Sequence, residues 1–344
     1  MATIGADVLT LNDWAKRLDP DGKTAIITEI LSQSNEILDE MQWKEGNLPT
    51  GEQTSVRTGL PNVFWRLINQ GVPKAKSTTA QITENVGILE ARSEVDEDEA
   101  NLNGNVNSFR LSESVAFMES MSQEFASTLM YGSGANPEEF VGFSNRYNDL
   151  SAQNSQNIID AGGTGSDNSS IWLVGWGPRT IFGVFPKGSK AGVSHNDLGL
   201  DDAFDSNNDR FRAYMDQYKW KGGLVIKDWR YAVRIANIDI SDIITDTNGT
   251  TTNLIELMLK AIHRLPSNAG RHRAPKMDMP NAAPGINASF YANRTINQML
   301  DIQAMNKSNL HLKVENEEGN QKLSLRGIPI RTVDALTESE ARVV

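Results

Sequence analysis

The residues of this sequence that could do chemistry are mainly clustered acids. Asp201, Asp202, Asp205, Asn207 and Asp209 offer side-chain oxygens in one short stretch, and oxygen donors of this kind bind Ca²⁺. The stretch lacks the central glycine and the distal glutamate of an EF-hand loop. Asp201 and Asp205 could instead be the paired carboxylates of a hydrolase, which need a defined separation. The acidic cluster is therefore compatible with three alternatives: a calcium-binding module, a carbohydrate-binding module or a hydrolase.

Most other catalytic and cofactor sites are excluded by what the chain lacks. Cysteine is absent, which rules out disulfides, thiol catalysis and iron–sulfur clusters. The glycine-rich run 162–166 lacks the Gly-Lys-Ser/Thr ending of a phosphate-binding loop. The histidines do not stand at metal-ligand spacing; they are His195, His263, His272 and His311. We predict no catalytic residue, no cofactor and no metal, and hence no enzyme.

Aromatic and basic residues indicate a different kind of site, an interface with another chain. Phe64 and Trp65 lie beside Arg57 and Arg66, and Trp and Arg are residue types that anchor protein interfaces. A small local core within the segment is the alternative. The candidate interface residues are Arg57, Phe64, Trp65, Arg66, Lys74 and Lys76.

The segment that carries these residues, 47–104, has few apolar side chains and is punctuated by glycine and proline. Short β-prone runs separated by such turn residues predict a long hairpin. A long hairpin with little to bury is not stable alone. We therefore expect it to lie on its own domain or on another subunit.

Two helices are predicted around this hairpin. The first spans 24–42, with Ile27, Ile30, Leu31, Leu38 and Met41 on one side, and ends at Trp43 and Gly46. The second spans about 106–131 and stops at the glycines of 132–134. Its apolar residues recur at steps of three and four and so share one face; they are Leu111, Val115, Met118, Met121 or Ser122, Phe125 and Leu129.

The rest of the chain is predicted to be segregated strands and helices. Strands are expected at 171–176 and 180–186, followed by a polar tract with five aspartates at 195–209 and a β-rich stretch at 218–240 with a turn at Gly222–Gly223. Helices follow at 254–265, capped by Asn253, and at 288–305, before two tail strands. The segregation predicts an α+β fold rather than alternating βαβ units.

Composition describes an acidic chain of 344 residues with net charge −11 and mean hydropathy −0.42. No apolar run reaches the about 18 residues of a membrane helix, and the first residues lack the pattern of a secretory signal. We expect a soluble protein made in the cytosol. A nucleic-acid binder needs a basic stripe, whereas the densest basic cluster, at 271–276, is typical of a solvated loop.

Several fragments, in this order, resemble the major capsid proteins of tailed bacteriophages with the Hong Kong 97-type fold. They include GLPNVFWRLINQGVP (59–73), GILEARSEVDEDEA (87–100), FRLSESVAFMESMSQEFASTLMYG (109–132), SSIWLVGWGPRTIFGVFP (169–186) and LRGIPIRTVDAL (325–336). The resemblance implies an N-terminal arm with the first helix (1–46), an extended loop (47–104), a peripheral domain with a spine helix (105–245) and an axial domain with the C-terminal strands (246–344). Because the strands at 169–240 precede the axial-like helices, a rearranged segment order stays open.

The resemblance also implies a function and partners. The chain would be a structural protein that assembles with itself into hexamers and pentamers of an icosahedral head around double-stranded DNA. It would use a separate scaffolding protein, with a decoration protein and a portal as further partners. It would bind DNA without sequence specificity, touch no membrane, assemble in the bacterial cytoplasm and end in the virion. A tail structural protein is the nearest alternative. Lys74 and Lys76 lie where some relatives form crosslinks, but no partner asparagine can be matched.

Overall fold

The computed structural model describes residues 32–101, 106–204, 208–246, 252–266, 286–306, 312–317 and 320–344. The helices are α1 Ile37–Glu40, α2 Glu97–Asn101, α3 Val106–Tyr131, α4 Phe143–Arg146, α5 Ile240–Thr245, α6 Leu254–Arg264 and α7 Arg294–Asn306. The strands are β1 Trp43–Glu45, β2 Gly51–Gly59, β3 Thr78–Asn85, β4 Gly87–Asp96, β5 Ile158–Asp160, β6 Asn168–Trp176, β7 Ile181–Phe185, β8 Val193–Phe204, β9 Arg210–Ile226, β10 Ala232–Asp239, β11 Asn287–Ala292, β12 Leu312–Glu317, β13 Asn320–Leu325 and β14 Ile328–Thr332. The predicted α+β class is confirmed.

Within the described residues, twelve strands form one mixed sheet. Its main path runs β12-β13-β14-β11-β6-β7-β9-β4, while β1 joins β7, β10 joins β5 and β6, and β8 joins β9. The remaining two strands, β2 and β3, pair only with each other. The body of the protein is thus a continuous sheet, and the β2–β3 hairpin is separate from it.

The core lies on both faces of β6, in which every residue is buried. Ile171 and Leu173 pack on one face against helices α6 and α7. Trp172 and Val174 point to the other face and pack against the end of α3. Alternate residues of a strand face opposite sides of the sheet. A continuous run of apolar residues can therefore pack against helices on both faces of the sheet.

The long helix α3 spans 26 residues, as the sequence predicts, and is roughly 39 Å long. Its C-terminal half is packed, and Phe125 stacks on Trp220 at 4.2 Å between ring centroids. The predicted apolar face is covered only in the C-terminal half of the helix, because Leu111, Val115 and Met118 in the N-terminal half are exposed. There another side of the helix faces β8 and β9, mainly through polar and aromatic contacts.

Those contacts centre on Arg110 and Phe117. Arg110 donates to Asp216 at 2.8 Å and to Asp197 at 2.7 Å. Phe117 stacks on Tyr218 at 5.6 Å between ring centroids. The helix is therefore held to β9 by a side that the apolar periodicity does not mark.

The polar tract at 195–209 belongs to strand β8 as far as Phe204. Backbone pairing with β9 forms this strand, although most of its side chains are exposed. The predicted turn at Gly222–Gly223 is wrong, since both glycines lie inside β9. A Cβ at Gly222 would lie 2.7 Å from the Phe125 ring, and one at Gly223 2.6 Å from the Asn85 carbonyl oxygen. Close neighbours, not a turn, require glycine here.

Two helices have different bounds in the structure from those predicted. In the described part of 24–42 the helix covers only Ile37–Glu40, and Trp43 belongs to β1, where it pairs with Gly183 of β7; residues 24–31 lie outside the described residues. The helix predicted over 288–305 begins at Arg294, because the residues before it pair as β11 with β6 and β14. Asn293 caps it by accepting from the Ile296 N–H at 2.8 Å.

A buried ion pair ties the C-terminal segment to the sheet. Arg234 donates to Glu340 at 2.8 Å, and both side chains are almost fully buried. Tyr131, at the end of α3, donates to the same carboxylate at 2.6 Å. Burial and the charge of Glu340 raise the pKa of Tyr131, so its hydroxyl stays protonated and able to donate. Glu340 thereby joins sheet, long helix and C-terminus.

One hydrophobic cluster crosses the predicted boundary at 245/246. Ile235 and Ile243 share it with Met258 and Leu300. This packing groups β10 with the C-terminal helices, and the domain division stays a prediction. Among the described residues, no helix combines the length and apolar character needed to cross a bilayer.

Candidate assembly surface

The extended hairpin, defined here as β2, β3 and the hairpin tip between them (residues 60–77), is anchored to the body at its base. Glu52 of β2 accepts from Lys227 at 2.8 Å and from Lys44 at 3.3 Å. Glu84 of β3 accepts two bonds from Arg146, both at 2.6 Å. Bidentate arginine–carboxylate pairs fix geometry as well as charge, so the base is attached in a defined direction.

The electrostatics of the base favour the charged form of Glu52. Burial alone raises the pKa of Glu52, but the hydrogen bonds from Lys227 and the Asn47 N–H, with the charges of Lys227 and Lys44, outweigh burial. The pKa of Glu52 therefore lies below its ordinary value of 4.5. At neutral pH the base is held by ion pairs.

The hairpin tip presents apolar side chains to solvent. Trp65 is fully exposed, and Val63 and Ile68 are each 89% exposed. The other large exposed apolar residues of the tip are Leu60, Phe64, Leu67 and Val72. A local core inside the segment is therefore excluded. Contiguous exposed apolar surface of this kind marks an interaction site.

The extended hairpin is also basic in an acidic chain. Between Glu52 and Glu84 the sequence contains no acidic residue, and it contains Arg57, Arg66, Lys74 and Lys76. All four are exposed, Arg57 on β2 and the others in the tip. With a net charge of −11 for the whole chain, the hairpin differs in sign from the body.

A cleft of about 680 Å³ separates part of the hairpin from the body. It is lined by residues 54–60 on one side and by Arg179 and Lys227–Arg230 on the other. Beyond its base, strand β2 therefore stands off its own subunit. Arg57 lies on the hairpin wall and Arg179 on the body wall. Lys227 and Arg230 of the body wall are paired with Glu52 and Asp228.

The six predicted interface residues thus lie on one element. Sequence reasoning missed Leu60, Val63, Leu67, Ile68 and Val72, although their spacing around Gly59, Pro61, Gly71 and Pro73 was a visible signal. It also missed the anchoring carboxylates, whose cations come from distant parts of the chain. Strand β4, which lies within the predicted loop 47–104, pairs with β9; the boundaries of that loop stay a prediction.

The acidic residues do not form a recognisable metal site in the described structure. Asp201 and Asp202 lie exposed on β8, and Asp202 contacts Arg210 at 3.6 Å. Asp205 and Asn207 lie outside the described residues, as do His272, His311 and the basic cluster at 271–276. Within the described residues, no group of three or more His, Asp or Glu side chains is arranged to hold a metal ion.

Comparisons with known proteins agree with a coat protein. The profile of the family described as "Major capsid protein GP7" matches residues 19–344. A protein chain in a structure of bacteriophage Epsilon15 is 32% identical, with alignment over 100% of this chain and 99% of that one and a TM-score of 0.77. The capsid of bacteriophage JBD30 aligns over 90% of this chain and 99% of that one, at 9% identity and a TM-score of 0.48. No curated protein sequence matches.

The family profile and the Epsilon15 chain confirm the predicted resemblance to phage coat proteins and the predicted capsid fold. They favour that prediction over the calcium-binding, carbohydrate-binding, hydrolase and tail-protein alternatives. The matched range includes the extended hairpin, the long helix and the C-terminal strands. The chain belongs to the major capsid protein GP7 family and is a structural protein of a phage head.

Proposed function

We propose that this subunit assembles into hexamers and pentamers of an icosahedral head that encloses double-stranded DNA, and that each extended hairpin docks on an adjacent subunit. The single observation that carries the proposal is the hairpin tip, which exposes a row of large apolar side chains around Trp65. A monomer gains nothing from this exposure. A neighbouring subunit that covers the tip removes the apolar area from water, which is favourable at about 25 cal/mol per Å².

Charge supports the same arrangement. The basic hairpin, with Arg57 and Arg66 beside the aromatic residues, complements an acidic surface on the next subunit. Trp and Arg near the centre of such a contact carry much of its binding energy. Lys74 and Lys76 add charge at the edge of the tip.

Closed symmetry explains how modest contacts give a stable shell. Each subunit both offers a hairpin and receives one, so a ring of copies leaves no hairpin uncovered. The acidic net charge of −11 suits a container for DNA, because repulsion keeps the polyanion from adhering to the wall. A separate scaffolding protein, a portal and a decoration protein complete assembly in the bacterial cytoplasm, and the product is the virion shell.

The experiment removes the tip contacts without touching the body. The double variant Phe64→Ser/Trp65→Ser is expressed with and without the neighbouring genes of its genome, and particles are counted by sedimentation and negative-stain microscopy. We expect folded subunits with unchanged circular dichroism and a loss of particles, since each replaced anchor weakens a contact by about 2 kcal/mol. Val344→Ser, at a residue that is 75% exposed outside the hairpin, is the matched control. Normal particles from the double variant would refute hairpin docking.

A further inference from the structure

A small pocket opens beside the base of the extended hairpin. It encloses about 190 Å³ and is lined by β4, β9, the C-terminal half of α3 and residues 138–140. Gly87 and Gly222, which pair across β4 and β9, contribute no side chains to the lining. Ligand pockets commonly measure about 300–1,000 Å³, so this one suits a single side chain.

Aromatic rings form one part of the lining. Phe125 stacks on Trp220 at 4.2 Å between ring centroids, and Phe140 lies 5.3 Å from Phe125 by the same measure. The face of an aromatic ring attracts a cation, and the long stem of a lysine or arginine packs on apolar surface. This part of the pocket therefore favours a cationic side chain with an apolar stem.

The charged residues of the lining are all acidic. Glu124, Glu138 and Glu139 line the pocket together with its apolar residues and Thr128. Glu139 accepts from Asn136 at 3.1 Å, whereas Glu124 and Glu138 are exposed and form no ion pair with another described residue. Arginine fits this set best, because its guanidinium both stacks on rings and binds carboxylates through two parallel hydrogen bonds.

The hairpin tip carries a suitable arginine. Arg66 is exposed and follows the fully exposed Trp65. The nine residues of β2 span about 30 Å, so the tip stands far from the pocket at the base of its own hairpin. A second copy is not restricted in this way. The basic tip and the acidic pocket are complementary in charge, and Ile88 at the pocket is 61% exposed and offers apolar surface to the tip.

We propose that Arg66 of one subunit binds in this pocket of the adjacent subunit, between the aromatic rings and the carboxylates of Glu124 and Glu138. The proposal rests on the proposed docking of the hairpin and names the surface that receives it. The tip of each hairpin then lies at the base of the next hairpin. A head-to-tail contact of this kind joins copies into a ring when the rotation between them closes.

Disulfide trapping in assembled particles tests this placement, because the chain contains no cysteine. The pair Leu67→Cys/Ile88→Cys leaves Arg66 and the glutamates unchanged. Leu67 follows Arg66 and is 70% exposed, and Ile88 lines the pocket. We expect oxidation to link neighbouring subunits into reducible ladders that end at pentamers and hexamers, since a disulfide forms when Cα atoms come within about 7 Å.

The pair Leu67→Cys/Ile244→Cys is the matched control. Ile244 is 52% exposed on α5, which packs with β10 and α7, and this pair should stay unlinked. Three results would overturn the proposal: particles of the first pair without linkage, an internal disulfide that leaves a monomer on the gel, or equal linkage in the control.

An exchange of charges provides a second measurement that needs no cysteine. Arg66→Glu alone, and Glu124→Arg/Glu138→Arg alone, should each lower the particle yield about tenfold, because like charges then meet in the contact. The triple variant should recover particles. Lys74→Glu makes the same charge change in the tip, and the glutamate replacements should not rescue it. A triple variant as poor as its parents would contradict the proposed pairing.

Failure of this placement differs from failure of hairpin docking itself. If the hairpins do not dock at all, Phe64→Ser/Trp65→Ser still gives normal particles. If they dock on another surface, that double variant loses its particles, while the cysteine pair stays unlinked and the exchanged charges bring no recovery.

Discussion

Glu52 and Glu84 face each other directly across the two strands of the extended hairpin. Like charges in this position destabilise a strand pair, yet here each carboxylate is paired with cations of the body. Lys227 and Lys44 contact Glu52, and Arg146 contacts Glu84. The repulsion between Glu52 and Glu84 is therefore offset by cations of the body. The direction of the hairpin thus depends on the fold of the subunit.

Removing one of these cations should weaken the base strongly. Arg146→Ala leaves the nearly buried Glu84 carboxylate unpaired, which costs about 3 kcal/mol in the free energy of unfolding. Urea denaturation of unassembled subunits measures the change. Arg57→Ala removes an exposed cation of the same hairpin and should alter stability by less than about 0.5 kcal/mol. Similar losses for both variants would contradict a specific role for Arg146.

Acid should loosen the hairpin base through Glu52. Its pKa in the folded protein lies below the ordinary value of 4.5, so its stabilising contribution is complete above that pH and is lost as the pH falls through the folded pKa. Amide exchange in residues 51–59, corrected for the intrinsic effect of pH, should therefore accelerate in the acid range below pH 4.5.

The variant Glu52→Gln provides the control for this pH dependence. Its uncharged side chain should give fast exchange at neutral pH already, with a smaller further change on acidification. Exchange in Glu52→Gln that follows the unmodified protein at every pH would show that another group controls the base.

The buried pair of Arg234 and Glu340 predicts that the C-terminus is important for stability. Glu340→Gln leaves Arg234 as an unpaired buried charge and weakens the bond from Tyr131, at a cost of about 3 kcal/mol. Arg342→Gln, at an exposed position two residues away, should change stability by less than about 0.5 kcal/mol. Thermal unfolding of both variants decides the matter, and an equally stable Glu340→Gln protein would contradict the account.

Gly223 should tolerate no side chain, because backbone approaches it closely. A Cβ there would lie 2.6 Å from the Asn85 carbonyl oxygen at the end of the hairpin, so Gly223→Ala must displace β9 or β3. We expect a loss of about 2 kcal/mol, within the range of overpacked cores. Gly71→Ala, where nothing lies within 4 Å, should be neutral in the unassembled subunit. A stable Gly223→Ala variant would show that the strands adjust freely.

The sequence predicted the long helix because its apolar residues keep a helical period over most of its length, and the hairpin because glycine and proline bracket its runs. It did not reveal which part of the helix is covered. Leu111 and Leu129 belong to the same helical pattern of apolar residues, but only Leu129 is buried in the core. Burial depends on neighbours from other parts of the chain, and periodicity does not contain them.

Two further elements show why local signals fail. Strand β8 has solvated side chains, so it lacks the apolar alternation by which strands are recognised, and only pairing with β9 forms it. The Gly222–Gly223 pair predicted a turn, but glycine is needed at position 222 because the Phe125 ring packs against it. The anchors of the hairpin were equally hidden, since Glu84 and Arg146 are 62 residues apart in sequence.

The central claim is that the hairpin tip is covered by an adjacent subunit, and a reconstruction of assembled particles by electron cryomicroscopy at side-chain resolution tests it most directly. We predict that residues 60–77 of every subunit lie against a neighbouring chain, with Trp65 removed from solvent. A tip that projects into solvent, or that folds into the cleft beside Arg179 of its own subunit, would contradict the claim.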